Sequence, residues 1–148
     1  MCYEAELPIV TAVGVGENTI NPTKTGKITV INFWGTWCTP CVSELPDFDK
    51  IATDYKDTVT VIAVHSSTGR ETSADYVKAY YPDSEIIFAN DIPDENDTFN
   101  GIYYLNLGGS NAYPYTVIID ENGIITHIFE DSLHYDDLKE AIETIKKS

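Results

Sequence analysis

Between Ile28 and Pro46 the chain reads Ile-Thr-Val-Ile-Asn-Phe-Trp-Gly-Thr-Trp-Cys-Thr-Pro-Cys-Val-Ser-Glu-Leu-Pro, and this stretch restricts the fold more than any other. It opens as an apolar, β-branched run from Ile28 to Trp34 and is ended by Gly35, the pattern of a buried strand entering a turn. A helical pattern follows from Thr39, with Val42, Leu45, Phe48, Ile51, Ala52 and Tyr55 at helical spacing. Cys38 and Cys41 fall at the junction. There the free N–H groups of a helix start and the positive end of its dipole favour thiolate over thiol. Two intervening residues bring the second sulfur within bonding reach of the first, so the pair can cycle between dithiol and disulfide. Taken alone, a Cys-x-x-Cys also occurs in zinc sites and by chance.

Residues 32 to 46, Asn-Phe-Trp-Gly-Thr-Trp-Cys-Thr-Pro-Cys-x-x-Glu-x-Pro, resemble the thioredoxin-like thiol–disulfide oxidoreductases of the TlpA/ResA family. The resemblance implies an α/β thioredoxin fold: a mixed central sheet flanked by helices, with an N-terminal strand extension and a central insertion. Pattern and resemblance agree on the order of elements. A hairpin or strand is expected within residues 3 to 27, then strand 28–34, helix 39–57, strand 58–65, helix 71–81 with Tyr76, Val77 and Tyr80 on one face, and strand 85–89. Residues 90 to 100 are acidic and rich in turn formers, with a short helix expected around 98–105. Strand 115–120, an Asn122-Gly123 hairpin turn, a partner strand 123–129 and an amphipathic helix 133–147 complete the chain. Pro46 lies inside the first helix, where it removes an N–H and predicts a kink. The span from Cys41 to Pro114 exceeds what a minimal thioredoxin needs and leaves room for the insertion.

With 148 residues, one thioredoxin-like domain over 1–148 is expected, residues 1–25 forming the extension and 26–147 the core. Nine basic against 24 acidic side chains give a formal charge of −15, which argues against nucleic acid and anionic membrane surfaces as partners. The Gly14-Val15-Gly16 run is no phosphate loop, since neither a strong strand precedes it nor a helix follows. Asn96-Asp97-Thr98 matches a glycosylation sequon and is read as coincidence.

Cys38 is the expected nucleophile, in an exposed turn before the helix, and Cys41 the more buried resolving thiol. Thr39 and Pro40 between them tune the couple. Glu44, three residues after Cys41, shares its helix face and is placed to accept its proton, a role the resemblance also implies. Classical thioredoxins carry a buried aspartate six residues before the first cysteine; here that position is Asn32, which cannot act as a base. The resemblance makes Pro114 a cis-proline opposite the cysteines, with Tyr113 beside the substrate and Trp37 forming an apolar lip.

No cofactor is expected beyond the redox-active Cys38–Cys41 couple. A zinc site needs two further ligands, and Cys2, His65, His127 and His134 show no paired spacing. The family implies an extracytoplasmic, monomeric reductase of protein disulfides, apocytochrome c among the possible substrates, fed by a membrane thiol donor. Attachment would be through an anchor or a lipoprotein cysteine, for which Cys2 is a candidate. The competing readings are a thioredoxin-fold peroxidase, disfavoured because Gly35 lacks the hydroxyl expected three residues before a peroxidatic cysteine, and a metal-binding or chaperone module using the same thiols.

Overall fold

A computed structural model describes residues 3–147; Cys2, the candidate lipid-attachment residue, lies outside them. The organising element is the strand β3 (Ile28–Trp34), all seven of whose residues are buried. Alternate side chains leave opposite faces of a strand, so Ile28, Val30 and Trp34 join one apolar cluster while Ile31 and Phe33 join another. A strand covered on both faces reads as an unbroken hydrophobic run rather than an alternating one.

Parallel to β3 runs β4 (Val59–His65), in register from Ile28 opposite Val59 to Trp34 opposite His65. On the other side β8 (Tyr115–Ile119) pairs with it antiparallel, which sets Asn32 opposite Thr116. The remaining strands are the hairpin β1 (Leu7–Thr11) and β2 (Gly14–Ile20), β5 (Ile87–Asn90) and β9 (Ile125–Phe129). The sheet order is β2-β1-β5-β4-β3-β8-β9, a mixed seven-stranded sheet. The α1 helix (Thr39–Asp54) and the closing helix α4 (Tyr135–Lys146) pack against one face through Leu45, Phe48, Ile51, Leu138 and Ile142, with α2 (Ser73–Tyr80) beside them. The short helix α3 (Ile102–Asn106) covers the other face with the fully buried Tyr103 and Tyr104.

The expected thioredoxin architecture, N-terminal strands and central insertion are all present. Four details differ. The acidic segment is not all turn: β6 (Pro93–Asp94) and β7 (Asp97–Gly101) form a separate two-stranded sheet, and the short helix begins only at Ile102. Asp97 explains the pairing, its carboxylate accepting the N–H groups of Phe99 and Asn100 and so shaping the strand from its own side chain. Tyr80, expected on the inner face of α2, is 66% exposed, because the eight-residue helix ends beside it and its ring lies over Tyr76 at the surface. The 121–123 turn takes its positive φ from Gly123 alone and not from Asn122. Cys38, expected to be exposed, is only 6% so.

Candidate active site

The polypeptide leaves β3 at Trp34, turns at Gly35, and enters α1 with Cys38 as its N-cap. The Cys38 Sγ accepts the N–H of Cys41 at 3.3 Å, as a capping side chain does. Cys38 and Cys41 are joined in a disulfide, their Cα atoms 5.3 Å apart. Thr39 and Pro40 form the first helical positions and are exposed, and proline is tolerated there because its missing N–H would have had no helical partner. Cys41 is completely buried, which separates the two sulfurs into an outer and an inner one.

One turn beyond Cys41, Glu44 is buried on the inner face of α1 with 4% of its surface exposed. Two donors hold its carboxylate. The N–H of Leu133, at the entry to α4, reaches Oε2 at 2.8 Å, and the Asn32 side-chain amide reaches Oε1 at 3.0 Å. Removal from water nonetheless outweighs both hydrogen bonds, and the carboxyl is pushed up to about 7. Asp47 adds to that rise and His134 opposes it. Glu44 therefore exchanges its proton in the neutral range, where a base for a buried thiol needs to work. A pocket of about 230 Å³ lined by Pro40, Ser43, Glu44, Ser132, Leu133 and His134 lies over it.

The opposite wall is aromatic. Trp37, 42% exposed, stands with its ring 5.1 Å from Phe99 and 5.3 Å from Tyr113, and its indole N–H donates to the carbonyl of Thr68 at 3.1 Å. Tyr113 precedes a cis peptide bond to Pro114, stacks on Tyr104 at 4.5 Å, and donates its hydroxyl to Asn100. Phe99 comes from the insertion strand β7, and its carbonyl accepts three hydroxyls, from Ser66, Ser67 and Thr68. The loop after β4 thus clamps the insertion against the mouth of the site.

The structure gathers Trp37, Cys38, Thr39, Pro40 and Cys41 at the start of α1, with Glu44 beneath them on its buried face and Tyr113 across the aromatic wall. Sequence reasoning missed Phe99, hidden in an acidic stretch without periodicity, and His65, which enters there only as a residue without metal-ligand spacing. His65 is fully buried; its Nε2 accepts the N–H of Thr36 at 3.0 Å while Nδ1 donates to the carbonyl of Ser66 at 2.8 Å. Burial lowers its pKa and keeps it neutral, as an accepting nitrogen requires. Among the described residues no group of three or more His, Cys, Asp or Glu side chains could hold a metal ion.

Comparison with known proteins identifies the family. The Redoxin family model matches residues 4–144. The chain belongs to the Redoxin family. The thioredoxin-like protein YneN of Bacillus subtilis is 30% identical over 118 residues, which cover 80% of this chain and 65% of the relative. The thiol-disulfide oxidoreductase ResA of Geobacillus thermodenitrificans is 30% identical over 122 residues, 82% of this chain and 64% of the relative. The chain thus spans a little under two thirds of the length of these relatives. Among solved structures, a thioredoxin from Neisseria meningitidis superimposes with a TM-score of 0.78 at 28% identity, covering 99% of this chain and 90% of the other. A secreted thiol-disulfide isomerase from Corynebacterium glutamicum reaches 0.79 at 19% identity over 100% and 86% of the two chains, a likeness of fold. In overall fold the domain is similar to these proteins, and it carries the Cys38–Cys41 pair at the start of α1.

Proposed function

We propose that this Redoxin domain reduces disulfides in partner proteins outside the cytoplasm, through Cys38 and Cys41. The observation that carries the reading is the Cys38–Cys41 disulfide at the start of α1 with the buried Glu44 carboxylate one turn behind it. In the reduced protein the Cys38 thiolate attacks one sulfur of a substrate disulfide. A mixed disulfide forms, and the other substrate sulfur leaves as a thiolate that takes a proton from water. Glu44 takes the proton of Cys41, whose thiolate attacks Cys38 and expels the second substrate thiol. The substrate gains two electrons and two protons, and the protein is left as the disulfide. A dithiol donor protein, by resemblance one held in the membrane, then restores both thiols by the same exchange.

Trp37, Thr39, Pro40, Tyr113 and Pro114 are assigned to substrate binding. The exposed indole and the Tyr113 ring offer an apolar face to the polypeptide around the substrate cysteine. Apocytochrome c is one substrate compatible with the resemblance to ResA proteins. A monomer tethered by an upstream segment is the form in which we place it. Support for the extracytoplasmic setting comes from that same resemblance.

The deciding experiment is the reduction potential of the Cys38–Cys41 couple, measured against defined thiol buffers. Thioredoxin lies near about −270 mV and a strong periplasmic oxidant near about −120 mV. A value at or below about −220 mV agrees with a reductase. One near −120 mV reverses the direction of electron flow, and the absence of any measurable couple overturns the reading.

A further inference from the structure

At the centre of β3, Asn32 is fully buried between Glu44 on α1 and Thr116 on β8. Both hydrogens of its side-chain nitrogen are used: Nδ2 donates to Glu44 Oε1 at 3.0 Å and to Thr116 Oγ1 at 3.1 Å. Its oxygen, Oδ1, is buried with no hydrogen-bond partner among the described residues. A buried acceptor left unpaired costs free energy, and such a group in a native site calls for an explanation.

The explanation lies in the symmetry of the amide. A half-turn about its terminal torsion exchanges Oδ1 and Nδ2 almost without change of shape. In the turned state Oδ1 faces Glu44 and Thr116. It can accept from a protonated Glu44 and from the Thr116 hydroxyl, which swings its hydrogen to donate instead of accept. We propose that Asn32 is a positioning residue whose amide turns over when Glu44 gains or loses its proton, so that carboxylate and carboxylic acid each meet a matching pair of hydrogen bonds.

Both states keep the same number of bonds. As carboxylate, Glu44 takes one N–H from Asn32 through Oε1 and one from Leu133 through Oε2. As acid, it carries its proton on Oε1, donates to Asn32 Oδ1, and still accepts from Leu133 at Oε2. One amide atom of Asn32 is unpaired in either state, Oδ1 beside the carboxylate and Nδ2 beside the acid. The inference builds on the assignment of Glu44 as the base for Cys41: the S–H bond of Cys41 breaks, the O–H bond of Glu44 forms, the amide turns and the Thr116 hydroxyl reverses its bond. An aspartate in place of Asn32 would repel the carboxylate and offer it no N–H. The charged groups acting on Glu44 are Asp47 on its own helix and His134 at the entry to α4, and Cys41 precedes it by one turn of α1.

The test uses the oxidised protein, so it is independent of substrate and of the direction of electron flow. In the intact chain, nuclear magnetic resonance follows the Glu44 carboxyl carbon and the Asn32 side-chain amide group across pH 5 to 9. The expected result is that both titrate with one midpoint, and that the amide hydrogens lose their proximity to Thr116 on the acid side. An amide that keeps its contacts while Glu44 titrates overturns the proposal. Asn32→Ala provides a second reading. An amide fixed as a donor stabilises only the carboxylate, and its loss would weaken the Glu44 acid tenfold or more. A turning amide serves both forms, and the acid dissociation constant changes less than about threefold. A tenfold change therefore also overturns the proposal, and the measurement on the unaltered protein stands by itself if that variant does not fold.

Discussion

The Nε2 of His65 accepts the backbone N–H of Thr36 at 3.0 Å, fastening the end of β4 to the loop two residues before Cys38. A neutral ring is required, because a protonated imidazole has no acceptor. His65→Phe fills the same space but leaves that N–H without its partner, an expected cost of about 1–3 kcal/mol in urea unfolding. Burial depresses the His65 pKa, so the stability it contributes is present above about pH 6.5, the ordinary value, and is lost as pH falls below it. The Phe variant should lack this acid-side loss, and Cys38 in its reduced form should alkylate faster.

Glu44→Gln separates catalysis from stability. Its pKa is raised from 4.5 to about 7, chiefly by burial. The folded protein therefore holds the proton more tightly than the unfolded one. The stability linked to it is complete below about pH 4.5 and lost as pH rises through about 7. Relative to wild type, the Gln variant should gain roughly 2–3 kcal/mol between those pH values, read from denaturation midpoints. Its thiol–disulfide exchange should slow by about 10²-fold or more, with the inflection near pH 7 gone.

Gly35 has no room for a side chain: a Cβ there would overlap the Trp37 indole. Gly35→Ala should push that ring away from Phe99 and Tyr113 and alter its fluorescence. Exchange with a folded protein disulfide should fall several-fold, while exchange with a small aliphatic disulfide stays within about twofold. Equal losses for both would argue against an aromatic docking face.

The insertion depends on Asp91, a fully buried carboxylate that accepts the N–H groups of Ile92, Tyr103 and Tyr104. A Cβ at Gly101 would overlap this carboxylate. Gly101→Ala should destabilise the protein by about 1–3 kcal/mol. Amide hydrogen exchange should rise first in residues 91–106, ahead of β3 and β4.

The strand–cysteine–helix core was legible because local rules and long-range burial point the same way there. Ile28 to Trp34 is apolar on both faces, and the structure covers both. The cis bond at Pro114 was legible only through family resemblance, since nothing local to Tyr113 demands it. Glu44 could be placed on the face of Cys41, but its burial depends on Leu133, 89 residues along the chain. The β6–β7 hairpin left no periodic trace, because Asp and Asn side chains rather than alternating apolar residues shape it. His65 escaped for a similar reason: its partner is a backbone N–H, which no side-chain pattern reveals.

Ser66, Ser67 and Thr68 grip the insertion by the carbonyl of Phe99 and not by its ring. A backbone handle is the same whatever side chain the residue carries. The mounting of this segment is thus uncoupled from its chemical content. Position 99 can be rewritten as aliphatic, polar or charged while the loop after β4 continues to hold it beside Trp37. The site behaves as a fixed chuck with an exchangeable bit, and partner preference can be re-engineered there without rebuilding the machinery beneath.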